Sequence, residues 1–298
     1  NAKLALLVLT IVPLLVVLFA IFQKKLIRVN REIREVNSQI TANFNEGITG
    51  AKTIDLIENA DQARKAAKAF AGFQNALADL PAPRLFETIP NFHNTLSRLE
   101  QLDTAAAEDK MGRKASVAAE LAFVDAHREE AGKIVKMMEN GEIPERITHN
   151  DTKINNVLLD DVTGEGVCVI DLDTTMPGLA INDFGDSIRF GANTAAEDET
   201  DLDKVYCRLD MFESYAKGFI NGLEGSLSES EIKALPMGAL ILTYETGIRF
   251  LSDYLDGDVY FRTEYPNHNL DRARNQFKLV ADMEKKMDEM NAIVAKYL

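Results

Sequence analysis

The sequence predicts a mainly α chain with a small β-hairpin (α+β). Successive helical stretches cover residues 60–140 and 199–297. Between them lie two β-rich runs, 156–160 and 167–172, flanking the turn-rich Asp-Asp-Val-Thr-Gly-Glu-Gly. An uncharged apolar run opens the chain at residues 4–22. With 298 residues and 46% hydrophobic content, the chain can bury one large core or two ordinary ones.

The first run, LALLVLTIVPLLVVLFAIF, is interrupted only by Thr10 and Pro13 and has the length of a bilayer-spanning helix. A secretory signal peptide would have a shorter apolar region followed by a small-residue cleavage site, and none follows. Residues 1–40 carry six Lys and Arg against two Glu, and Lys24, Lys25 and Arg28 follow the span directly. That bias places the C-terminal side in the cytoplasm. The expectation is a membrane-anchored chain with a cytoplasmic C-terminal domain. Residues 23–46 read as a polar helical extension, and 47–50 as a break.

Helices are expected at 60–79, ended by Leu-Pro-Ala-Pro, at 90–102, and at 112–140, ended before Gly141 and Pro144. After the hairpin come 199–223, 229–256 and 269–297. Ser228 and Glu231 form a capping box for the second of these, and Pro236 is expected to kink it. Cys168 reads as a small residue in a buried strand and Cys207 as a helix residue, with no disulfide framework and no metal-ligand company. A formal charge of −14 and a pI near 4.8 exclude nucleic acid as a natural partner.

The chemistry is concentrated in ITHNDTKINNVLLDDVTGEGVCVIDLD. Folding the hairpin brings Asn156 and Asp171 together, with Asp151 on the loop before them. Two hard oxygen ligands beside a positioned carboxylate suit magnesium and phosphoryl transfer. Asp151 could accept the proton of an attacking hydroxyl. His149 reads as a loop-packing residue. The plainer alternative makes Asp151 a cap, Asn156 a turn residue and Asp171 an Asx-turn acceptor. Four matched positions on loop, strand, turn and strand weigh against it. The pattern H-x-D-x-x-x-x-N followed by a strand ending in Asp is the catalytic loop of kinase-like enzymes. Lys153 could approach a phosphate, although a solvated loop lysine is the ordinary expectation. Asp173 is expected in a supporting or hairpin-end role, Asp183 as a helix cap, and Asp186 as that helix's first-turn acid.

HNDTKINNVLLD, VCVIDLDTTMPGLAINDFGDSIRFGA and GIRFLSDYLDGDVYFRTEYPNHNLDRARNQFKLV resemble the aminoglycoside phosphotransferase superfamily, with the closest likeness to the N-acetylhexosamine 1-kinases. The resemblance covers residues 62–298 and implies a protein-kinase-like C-lobe. It further implies Asp151 as the base, Asn156 and Asp171 on Mg2+, and ATP as co-substrate. The implied acceptor is the anomeric hydroxyl of a hexosamine. Arg249 and Tyr260 match positions that contact the sugar; a surface arginine and a half-buried tyrosine are the plainer alternatives.

RVNREIREVNSQITANFNEGITGAKTIDL resembles a transmembrane span and cytoplasmic extension of an ABC exporter, over residues 1–58. No G-x-x-x-x-G-K-[ST] occurs, so the exporter's ATPase motif is not in the sequence. The expected division is therefore an exporter-like piece at 1–58 and a kinase-like C-lobe at 59–298. The N-lobe that grips ATP in such kinases has no counterpart in residues 1–60, so no lysine is assignable to ATP, Lys153 being the one candidate. Little or no kinase activity is expected without that lobe or a partner polypeptide supplying it. The alternative is a membrane transport component with a passenger or ligand-sensing tail.

Overall fold

The computed structural model describes residues 51–53, 59–80 and 85–298. The expected membrane segment at 4–22 and its extension at 23–46 lie outside the described residues. Among the described residues no helix is long and apolar enough to cross a membrane. The compact unit considered below runs from Lys52 to Leu298.

Its α-helices are α1 (Ala60–Ala76), α2 (Thr95–Glu108), α3 (Ala118–Ala126), α4 (Arg128–Ala131), α5 (Lys133–Glu139), α6 (Ala180–Gly191), α7 (Leu209–Gly222), α8 (Glu229–Asp256), α9 (His268–Lys285) and α10 (Met287–Val294). The strands are β1 (Ala51–Thr53), β2 (Arg146–Thr148), β3 (Val157–Asp160), β4 (Gly166–Val169) and β5 (Met176–Gly178). They form a three-stranded sheet in the order β1-β3-β4 and an antiparallel β2–β5 pair.

Local sequence explains most of these boundaries. Asn59 caps α1 by accepting from the N–H groups of Asp61 and Gln62, and Asn94 caps α2 by accepting from Ser97. The capping box at Ser228 and Glu231 is formed as expected, and Gly257, in the left-handed region at φ 104°, ends α8. Pro236 lies inside α8, where its ring removes one backbone donor.

Several expectations need correction. The helix expected at 269–297 is divided at Lys286 into α9 and α10, and the one expected at 90–102 runs from Thr95, capped by Asn94, to Glu108. The helix expected at 112–140 is divided into a 3-10 turn, α3, α4 and α5, with breaks at His127 and Gly132. The helix expected from 199 starts only at Leu209, because the Cys207 N–H donates to Asp282 Oδ2 at 2.7 Å and Cys207 bridges to Asn193. Cys207 is thus buried in a bridge rather than a helix. The second hairpin strand ends at Val169, and Cys168 is half-buried, because β4 is an outer strand of its sheet.

The long helix α8 is the axis of the core, with α2, α6 and α9 packed on it and Tyr244 fully buried with its hydroxyl donated to the Val124 carbonyl at 2.8 Å. On the other side of α6, Phe184 meets Phe212, Tyr215 and Phe219. The alanine face of α1 lies against α7, while Phe70 packs with Val157 and Leu159 under the hairpin. The α6–α8 crossing is set by two glycines: a Cβ on Gly238 would meet the Ile181 carbonyl oxygen at 2.7 Å, and one on Gly185 would meet the Gly238 carbonyl at 2.5 Å. Neither backbone can give way without moving its helix.

Gly238→Ala should therefore cost about 1–3 kcal/mol of unfolding free energy in a urea titration. Gly72→Ala, in the exposed middle of α1 with nothing within 4 Å, should instead stabilise by roughly 0.5–1 kcal/mol. Equal effects at the two positions would contradict the packing described.

Candidate active site

The loop leaving β2 rests on the first turns of α6, and one side chain fixes it there. Asp183 Oδ2 accepts the His149 N–H at 3.0 Å, and Oδ1 accepts the Asn150 N–H at 2.7 Å. Gln74 of α1 donates to Oδ2 at 2.7 Å. The Asp183 carbonyl accepts from Thr152, and Ser187 donates to the Thr152 carbonyl at 2.8 Å. Burial pushes the Asp183 carboxyl up, and the two backbone donors work against that rise. Asp183 is therefore not the cap expected from the sequence. Leu179 occupies that position, and Asp183 turns back to hold the loop.

These bonds impose an unusual backbone on Asn150, with φ at 64°. The Asn150 amide group is occupied in turn, donating to the Thr174 carbonyl at 3.0 Å. His149 is fully buried, edge-on to Phe70 and Phe73. Its Nε2 lies 2.8 Å from the Ile170 carbonyl, and its Nδ1 faces the Asp151 N–H at 3.3 Å. This pattern requires the proton on Nε2. His149 thus ties the loop to the end of the hairpin, the packing role its position suggests.

Asp151 is half-buried with its carboxylate between two donors. Asn156 Nδ2 donates to Asp151 Oδ2 at 3.1 Å and to the Asp151 carbonyl at 2.8 Å. Lys153 Nζ lies 2.9 Å from Asp151 Oδ1. Burial pulls the Lys153 ammonium down, but the Asp151 and Asp186 charges outweigh it and hold its pKa above the usual range. The loop lysine expected in solvent is paired with the candidate base.

The hairpin places Asn156 opposite Ile170, whose N–H donates to the Asn156 carbonyl at 2.9 Å, so Asp171 is the next residue along. Asp171 lies two residues beyond β4, in the left-handed region at φ 60°. It is exposed, and its carboxylate has no partner among the described residues. Because the Asn156 amide nitrogen serves Asp151, its Oδ1 remains for another ligand. Two unspent hard oxygens on adjoining segments fit magnesium, which keeps water and phosphate oxygens in its other positions. Asp173 sits in the following 3-10 turn, exposed, with its carbonyl 3.5 Å from Thr88 Oγ1.

Asp186 is buried in the second turn of α6, not the first. Arg189 donates to its Oδ1 from Nε at 3.0 Å and from Nη2 at 2.8 Å. Burial pushes this carboxyl up, yet the Arg189 and Lys153 charges prevail and hold it below the usual range.

Arg249 and Tyr260 are brought together in a cavity of about 570 Å³ that also contacts Arg98, Ser252, Asp253 and Phe261. The Arg249 guanidinium sits over the rings of Phe92, Phe261 and Tyr260, at 5.1, 5.5 and 5.9 Å from their centroids. Neither Arg98 nor Arg249 has an ion-pair partner among the described residues. Burial, together with the Arg249 charge, pulls the Arg98 guanidinium below its usual range. Asp253 organises the loop carrying Tyr260: its carboxylate accepts the N–H groups of Val259, Tyr260 and Phe261 at 2.9, 2.8 and 2.9 Å.

Sequence reasoning missed Gln74 and Asp253, and also His93 and Glu245, whose Nδ1–Oε1 contact of 2.9 Å joins residues 152 apart. Their partners lie far along the chain or on the backbone, where no short motif records them.

A family model described as the phosphotransferase enzyme family (APH) matches residues 44–216. The structure is similar to a choline kinase from Cryptosporidium parvum Iowa II, with a TM-score of 0.50 and 13% identity over 84% of this chain and 73% of that one. It is also similar to a Plasmodium vivax ethanolamine kinase (TM-score 0.48, 14% identity, 77% of this chain, 62% of that one). A microcompartment-associated aminopropanol kinase gives a TM-score of 0.49 and 15% identity over 80% of this chain and 65% of that one. The chain spans less than two thirds of the length of the latter two. At such identities the likeness is one of fold.

Replacing Asp183 by Asn, which leaves one backbone N–H facing another donor, should cost about 2 kcal/mol in urea unfolding. A change below a few tenths would sink the anchoring role. The lowered Asp186 carboxyl contributes stability that is present above the unfolded value, about pH 4, and lost as pH falls through the folded one. The stability gap between wild type and Asp186→Asn should thus be widest at neutral pH and narrow in acid, whereas a constant gap contradicts it.

Proposed function

The chain belongs to the phosphotransferase enzyme family, and on that footing we propose that residues 59–298 form the acceptor- and metal-binding half of a small-molecule kinase. Its reaction transfers the γ-phosphoryl of ATP to the anomeric hydroxyl of an N-acetylhexosamine. The observation that carries this reading is the Asp151 carboxylate, held by Asn156 and Lys153 on a loop whose backbone is fixed from α6. A base so constrained meets the positional demand of phosphoryl transfer, in which alignment and charge stabilisation dominate.

In this reading the acceptor hydroxyl gives its proton to Asp151 as its oxygen bonds to phosphorus and the bond to the departing nucleotide breaks. Lys153 offers its remaining N–H donors to the transferred group. Asn156 Oδ1 and the Asp171 carboxylate would hold magnesium, which neutralises phosphate oxygens when bound. Arg249 supports the sugar assignment, because its five N–H donors meet no hydrogen-bond acceptor among the described residues. Arg249 can serve several ring oxygens at once, with the Tyr260 ring beside it.

Asp151→Asn should lower transfer from ATP to N-acetylhexosamines by about a hundredfold or more while leaving sugar binding near wild type. Arg249→Ala should weaken sugar binding, read by calorimetry, by roughly tenfold. Sugar binding with no transfer from wild type would favour the ligand-sensing alternative. Neither binding nor transfer, or full activity in Asp151→Asn, would remove the reading.

A further inference from the structure

Asp183 holds the Asn150 N–H, whereas the Asn150 carbonyl, which opens the peptide to Asp151, meets a different part of the fold. There His93 Nε2 lies 3.0 Å from the Asn150 carbonyl oxygen. The other ring nitrogen, Nδ1, lies 2.9 Å from Glu245 Oε1, and Glu245 Oε2 accepts from Thr95 Oγ1 at 2.7 Å. The Glu245 side chain is 2% exposed and that of His93 9%. The His93 ring rests on Phe92, 4.5 Å between centroids.

We propose that His93 and Glu245 are positioning residues that latch the Asn150–Asp151 peptide to α8 and so aim the Asp151 carboxylate. The proposal rests on the reading of Asp151 as the base. Three observations carry it. Asn150 holds a left-handed conformation that a non-glycine residue keeps only when its surroundings impose it. Asp183 fixes the N–H of Asn150, which leaves the carbonyl free to swing unless it too is held; His93 supplies that second point. The buried Glu245 has its carboxylate committed to His93 and Thr95, an arrangement that costs desolvation and is offset only by those bonds.

Glu245 and Arg249 are four residues apart on α8 and so share one face of the helix. One turn of rigid helix thus separates the guanidinium in the acceptor cavity from the carboxylate that orients His93. The distance between sugar and base is set by this path: Arg249, α8, Glu245, His93 and the Asn150 carbonyl. His93 itself touches no reacting atom.

The test compares His93→Ala, His93→Gln and Glu245→Gln in the full chain by hydrogen exchange over residues 148–157, by thermal melting, and by transfer kinetics with ATP, magnesium and an N-acetylhexosamine. His93→Ala should speed exchange in that segment and lower kcat by about ten- to a hundredfold, with the sugar KM within about twofold. His93→Gln, which keeps a donor for the Asn150 carbonyl, should recover much of both. Arg249→Ala should show the opposite split, with KM raised. Unchanged exchange in His93→Ala, or a rise in KM at constant kcat, overturns the latch. If His93→Ala melts too low to study, Glu245→Gln gives the same comparison with the ring in place. If the wild type transfers no phosphoryl group, as expected of this half without its nucleotide-gripping lobe, hydrogen exchange alone decides the latch, and absence of N-acetylhexosamine binding by calorimetry separately removes the kinase reading.

Discussion

A single buried carboxylate, that of Asp183, holds the site together. It joins three parts of the chain that share no covalent neighbourhood: Gln74 on α1, the backbone of His149 and Asn150, and α6 itself. Burying a charge is costly unless its oxygens are fully occupied, and here the occupying donors are the loop's own amides. The loop therefore cannot relax without stranding the carboxylate. The carboxylate in turn depends on how deeply α6 sits. That depth is fixed by backbone contact through Gly185 and Gly238, so core packing and loop geometry are one constraint.

Much of the fold follows from local signals. Asn59, Asn94 and the Ser228–Glu231 box mark helix starts because capping is decided within four residues. The hairpin was legible for the same reason. The β2–β5 pair was not: each strand has three residues, too few for alternation to register, and Pro177 argues against a strand. The single helix read at 112–140 fails because its interruptions depend on side chains elsewhere, such as Glu284 on the His127 ring at 2.9 Å.

The site shows the same division. His149, Asp151 and Asn156 lie within eight residues, so their grouping follows from spacing; the approach of Asp171 needed only the hairpin register. Asp183 was placed near the right helix end but given a cap's role, because its partners precede it by more than thirty residues. Arg249 and Tyr260 were paired by resemblance alone. The structure supplies the physical link, a ring-lined cavity in which the guanidinium keeps its donors unspent.

Asp253 grips the loop beyond α8 through the main-chain amides of Val259, Tyr260 and Phe261, while Asn269 Nδ2 donates to the same carboxylate at 2.8 Å. Its hold on the three amides is blind to what those residues carry. Proline alone lacks the amide this grip needs, and Phe261 adds its ring to Phe250, so the exposed Val259 and Tyr260 are the freer positions. Side chains at the rim of the cavity can thus change at Val259 and Tyr260 while the backbone that carries them stays held by Asp253.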